Sequence, residues 1–171
     1  PEVGDPMRLW GVSNADGDSL TWPVIARNKK SITLNLRVQP GQQIAQQLLD
    51  QADILIENFR PGTLERWNLS PERLWETNPG LIIVRVTGFG QTGYGSIGEA
   101  MGGLRYLTGE PDRPPARAGI SIGDSLAGTY AALGAVAALN ARTTTGRGQI
   151  VDSAIYEAVL GMMEASVTEW D

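Results

Sequence analysis

Histidine and cysteine are both absent from the 171-residue chain, and this decides which chemistry its side chains can carry. Without His, the commonest general base and the Ser-His and Cys-His pairings are gone. Without Cys, thiolate nucleophiles, disulfide frameworks and the usual zinc-site patterns go too. Catalysis would have to rest on carboxylates, Lys, Tyr, hydroxyls or backbone dipoles. The most suggestive carboxylate is Asp124, in "ISIGDSLAGTYAAL", between Gly123 and the start of a small-residue helix. Two roles fit this position. An aspartate at a helix start accepts backbone N–H bonds and complements the macrodipole, contributing ~0.5–2 kcal/mol. The same surroundings keep it ionised, as a carboxylate nucleophile requires, and Gly123 would let a substrate carbonyl approach. Spacing alone leaves both roles open.

A second group lies in "ENFRPGTLERW", where Asn58, Phe59, Arg60 and Arg66 follow a predicted strand. An aromatic face beside guanidinium groups can hold a nucleotide by stacking and phosphate contact. The alternative places Phe59 in the core and the arginines in solvent. The loop "TGFGQTGYGSIG" matches neither a Walker A nor a dinucleotide fingerprint, but its freed amides could meet a phosphate or an oxyanion. Glu157 and Glu164 read as surface carboxylates, and Met162 and Met163 as core or interface filler.

The elements that must position these groups follow from periodicity. "SITLNL" (31–36) alternates as a strand, and "PGQQIAQQLLDQA" forms a helix with Ile44, Ala45, Leu48 and Leu49 on one face. "DILIENF" gives a second strand, so a parallel pair is expected. Ser70 and Pro71 open a helix that stops at Asn78-Pro79-Gly80, and "LIIVRVTGFG" is a buried strand entering a glycine loop. A short helix near "GEAMGG", a long one over 125–141, a turn at "TGRGQ", a strand "IVDSA" and a helix over 155–166 complete the pattern. Alternating strands and helices predict an α/β fold, an open parallel sheet flanked by helices. Ligands of such sheets sit beyond the carboxyl ends of the strands. The Ala/Gly content of 125–141 suits close packing, within the subunit or against a second one.

The net charge of −5 argues against a nucleic-acid partner, although Arg27, Lys29, Lys30 and Arg37 could hold one small polyanion. No run of 18 apolar residues occurs and no secretory pattern opens the chain, so no membrane association and a cytoplasmic location are expected.

In their order along the chain, "RNKKSITLNL", "ADILIENFRPGTLERWNLSPERLWETNPGLIIVRVTGFGQTG", "GEAMGGLRYLTG", "IGDSLAG" and "TGRGQIVDSAIYEAV" resemble the family III CoA-transferases over essentially the whole sequence. That group includes formyl-CoA transferase, carnitine CoA-transferase and α-methylacyl-CoA racemases. The resemblance implies a Rossmann-like open sheet and a core part of a larger domain spanning residues 1–171, without the family's N-terminal strand and C-terminal portion. It implies Asp124 as nucleophile, through an aspartyl anhydride and an aspartyl-CoA thioester. Coenzyme A or acyl-CoA would serve as substrate rather than as a bound cofactor. CoA contacts carry over to Leu34, Asn35, Leu36 and Arg37, to Asn58, Phe59, Arg60 and Arg66, and to Tyr94. The implied partners are an acyl-CoA, a carboxylic acid and a second copy in an interlocked homodimer. Alternatives are a non-catalytic CoA-binding homologue, or a racemase or isomerase. The racemase branch uses a histidine near "GEAMGG", which this chain lacks. The stretch between Gly93 and Tyr94 is also shorter than the family pattern.

Overall fold

The structure is a computed structural model describing residues 4–88, 95–166 and 168–169. It divides into two compact units, Pro1–Asn35 and Leu36–Asp171. In the first, a 3-10 turn at Pro6–Leu9 is capped by Asp5, whose Oδ1 accepts the Met7 N–H at 2.8 Å. Helix α1 (Trp22–Ile25) follows, and the Arg8 guanidinium lies 4.2 Å from the centre of the Trp22 ring. The strand expected at 31–36 does not form: residues 31–35 are irregular, 36–38 turn, and Ile32 is exposed. Alternation makes a strand only where a ladder partner exists, and none of the described strands pairs there.

The second unit begins with α2 (Gln39–Leu49), entered from extended Val38 with Pro40 in its first turn. Only Gly41 and Ala45 are buried on it, and Ile44 and Leu48 stay half-exposed. Strand β1 (Ile54–Glu57) leads through α3 (Thr63–Arg66) and α4 (Pro71–Thr77) to β2 (Ile82–Thr87). Ser70 caps α4 by accepting the Arg73 N–H, as its position before Pro71 foretells. The Asn78 amide closes that helix by donating to the carbonyls of Leu49 and Ala52, both at 2.8 Å. Helices α5 (Gly95–Met101) and α6 (Ile122–Thr145) then lead to β3 (Ile150–Ala154), which runs directly into α7 (Ile155–Leu160).

The sheet is three-stranded and parallel in the order β1-β2-β3, with Ile56 opposite Val84 and Val84 opposite Val151. Central β2 starts as an unbroken apolar run, Ile82 to Val84, because strands covered on both faces have no polar side. The helix α6 lays Ala127, Ala131, Ala135 and Ala138 in one buried stripe, and the last three pack with Ile82 and Val84. By length and composition α6 could cross a bilayer, which the sequence reading did not anticipate. Its alanine stripe is instead spent on the sheet, leaving Leu133 and Val136 exposed on the other side.

Two boundaries differ from expectation. Helix α6 starts at Ile122, not 125, and runs to Thr145, ended by left-handed Gly146. Helix α7 ends at Leu160, with turns where the pattern predicts helix to 166.

Candidate functional site

Parallel strands deliver their carboxyl ends to one edge of the sheet, and a cavity of about 340 Å³ opens there. Glu57 and Phe59 line it from β1 and beyond, Arg85 and Thr87 from β2, and Asp152 and Ala154 from β3. Tyr156 and Glu157 close it from the start of α7, and the Tyr156 hydroxyl donates to Glu157 Oε1 at 3.1 Å. Arg85 is committed to protein carboxylates, with Nη2 at 2.8 Å from Glu65 Oε1 and Nε at 3.4 Å from Glu57 Oε1. Burial pushes the Glu57 carboxyl up, against the lowering effects of the Phe59 N–H (2.7 Å) and of Arg85.

Phe59 and Arg60 both line this cavity. Among the described residues no carboxylate forms an ion pair with Arg60, so its charge is available to an anion. Phe59 is half-exposed and stands edge-on to Trp67, with centroids 5.1 Å apart and an interplanar angle of 77°, so it is not a core residue. Arg66 folds back one turn later, donating from Nη2 to the cavity residue Thr63 at 2.8 Å.

Asn58 is exposed directly after β1 and does not line the cavity. Leu36 and Arg37 precede α2, outside the cavity lining, and the Leu36 carbonyl accepts from Gln42 Nε2 at 3.0 Å. Leu34 and Asn35 belong to the first unit. Tyr94 lies outside the described residues.

Asp124 occupies the first turn of α6 rather than its cap, which is Ser121. It therefore receives no capping hydrogen bond, and no described residue donates to its carboxylate. Its setting comes from close backbone approach. A Cβ at Gly95 would stand 2.6 Å from Asp124 Oδ2, so only glycine lets α5 meet this carboxylate. Gly123 is equally constrained: a Cβ there would fall 2.7 Å from Ile155 Cγ2 and 3.2 Å from Glu99 Cγ. The side chain is exposed, yet desolvation by the surrounding atoms raises its carboxyl above the usual aspartate value. Glu99 pushes in the same direction and Arg117 pushes back. The cap role drawn from the sequence is thus not the one observed, because the helix begins three residues earlier than a cap at Asp124 requires. Helix α7 connects the two places: Ile155 packs under Gly123, while Tyr156 and Glu157 face the cavity.

Sequence reasoning passed over Glu99, Arg105, Glu57, Arg85 and Tyr156. Glu99 carried one signal, a lone acid among glycines and apolar residues in "IGEAMGG".

The family described as CoA-transferase family III matches residues 1–170. The chain belongs to CoA-transferase family III. It is 58% identical over 177 aligned positions to the succinyl-CoA–D-citramalate CoA-transferase of Chloroflexus aurantiacus, covering 99% of this chain and 44% of that relative. The succinyl-CoA–L-malate CoA-transferase alpha subunit of the same organism is 46% identical, over 96% of this chain and 40% of that protein. Among solved structures, a CAIB/BAIF family protein from Brucella suis superimposes with a TM-score of 0.89 at 34% identity, covering 99% of this chain and 48% of that one. The family III chain thus spans less than half the length of these relatives, and its parallel sheet flanked by helices matches the fold of the Brucella suis protein.

Proposed function

We propose that this chain carries the nucleophile and part of the CoA site of an acyl-CoA:carboxylate CoA-transferase. The observation that carries the reading is the Asp124 carboxylate, accepting no hydrogen bond from a described residue and pressed against glycine backbone where a carbonyl can approach. An Asp124 oxygen attacks the thioester carbonyl, a C–O bond forms, the C–S bond breaks and CoA leaves as thiolate. The thiolate attacks the aspartyl carbonyl of this anhydride, releasing the donor acid and leaving an aspartyl-CoA thioester. An acceptor carboxylate then displaces CoA, and the returning thiolate attacks the acceptor carbonyl to give the new acyl-CoA and free Asp124. One thioester replaces another, so the sequence needs neither ATP nor an imidazole.

Phe59 offers a stacking face for CoA and Arg60 a cation that no described carboxylate pairs, and the family resemblance adds Asn58, Arg66, Tyr94 and Leu34 to Arg37 as expected contacts. The names of the relatives point to succinyl-CoA as donor and a hydroxylated dicarboxylate as acceptor. The exposed Leu133 and Val136 suit burial in an interlocked homodimer. The test is to incubate full-length protein with succinyl-CoA and follow intact mass. A hydroxylamine-sensitive adduct on Asp124 supports the reading, and turnover undiminished in Asp124→Ala sinks it.

A further inference from the structure

Glu99 is 1% exposed, the most deeply buried carboxylate among the described residues. Its Oε2 lies 3.5 Å from Arg105 Nη2, at the outer limit of a hydrogen bond, and its Oε1 has no partner among the described residues. Removing a charge from water costs several kcal/mol, ~3–5 when a buried partner is missing, so a poorly satisfied buried acid needs a reason to persist. Its place in α5 supplies one. Gly95 and Glu99 are four residues apart and share a helix face. Gly95 meets the Asp124 carboxylate, and the Glu99 Cγ lies 3.2 Å from the point a Cβ on Gly123, the residue before it, would occupy.

We propose that Glu99 is a positioning residue for Asp124: braced by Arg105 beneath the first turn of α6, it sets a negative charge against the nucleophile that is relieved on acylation. This rests on the reading of Asp124 as nucleophile. While Asp124 is a free carboxylate, the Glu99 charge on α5 opposes its own on α6. When its oxygen bonds the acyl carbon, the electron pair of the broken C–S bond leaves with the CoA sulfur, and the repulsion disappears. The ground state rises relative to the covalent adduct, and the first transfer is driven forward. The charges acting on Asp124 are Glu99 from α5 and Arg117 from the segment before α6. The α7 side chains that stand nearest Gly123 are apolar, Ile155 and Val159.

The experiment measures adduct formation on Asp124 from succinyl-CoA, by quenched mass spectrometry across acid to neutral pH, in full-length protein. In Glu99→Gln the acid limb moves to lower pH by roughly 0.5–1 unit, and the adduct yield at neutral pH falls roughly three- to tenfold. Arg117→Gln moves the limb the other way. Because Glu99→Gln can cost the fold, Glu99→Leu combined with Arg105→Leu removes buried Glu99 together with its partly exposed partner without orphaning a charge, a replacement proteins often tolerate. It should show the same downward shift. A wild-type adduct with limbs unchanged in both Glu99 variants overturns the role of Glu99 and leaves Asp124 standing. No adduct in the wild type overturns the reading of Asp124 itself, and the role of Glu99 with it.

Discussion

The backbone of Gly95 stands directly against the carboxylate of Asp124, leaving 2.6 Å between Oδ2 and the point a Cβ would occupy. These residues are 29 positions apart, and their contact defines where the nucleophile can point. A methyl group at that place must move the carboxylate, because no real Cβ comes so close. We expect Gly95→Ala to cut covalent adduct formation at least about tenfold, in line with misplacement of a reacting atom by a fraction of an ångström. CoA affinity, read by calorimetry, should hold. Unchanged adduct kinetics would refute the geometry.

Asp124 also makes a thermodynamic prediction. Its folded-state carboxyl is raised, so between the unfolded value and the raised one the native state binds more protons than the unfolded chain. Stability from this group therefore falls as pH rises through that window. Asp124→Asn should be more stable than wild type at neutral pH, and the advantage should vanish on acidification below the ordinary aspartate value. Denaturant unfolding at several pH values reads this directly, and a variant less stable at every pH would contradict it.

At Gly123 the constraint is packing. A Cβ 2.7 Å from Ile155 Cγ2 overfills the junction of α6 and α7. Gly123→Ala should cost about 1–3 kcal/mol, the usual penalty for forcing a methyl into a filled core. A melting temperature within error of wild type would show that α7 yields freely.

The far end of α6 is held by Arg142, which donates from Nη1 to the Gly80 carbonyl at 3.0 Å and from Nη2 to Asp53 at 2.7 Å. Asp53 is largely exposed, so its ion pair contributes little, whereas a charge-assisted bond to a carbonyl contributes about 1.5–3 kcal/mol. Arg142→Ala should thus destabilise clearly more than Asp53→Ala. Equal losses in urea titrations would reassign the energy to the ion pair.

Phe59 and Arg60 separate by salt. We expect each alanine variant to weaken CoA binding about tenfold, but only Arg60→Ala should flatten the dependence of affinity on ionic strength. Calorimetry at two salt concentrations checks this. Identical salt dependence in both variants would remove Arg60 from the phosphate contact.

Much of this was legible along the chain because the signals are local. Buried β2 shows itself as a continuous apolar run, α4 by Ser70 and Pro71, and the α/β order by alternation of the two periods. The family motifs single out Asp124 and the segment from Asn58 to Arg66 without any fold. Contacts between distant segments decided the rest. Alternation in 31–36 promised a strand, but hydrogen bonding needs a neighbour, and the described sheet ends at β1. The start of α6 at Ile122 moved Asp124 off the cap, and burial together with the Glu99 charge raises its carboxyl where capping amides would have held it down. Gly95 beside Asp124, and Glu99 beneath Gly123, leave no trace in spacing. They exist because α5, α6 and α7 pack backbone to backbone, and only the assembled helices bring those atoms within van der Waals reach.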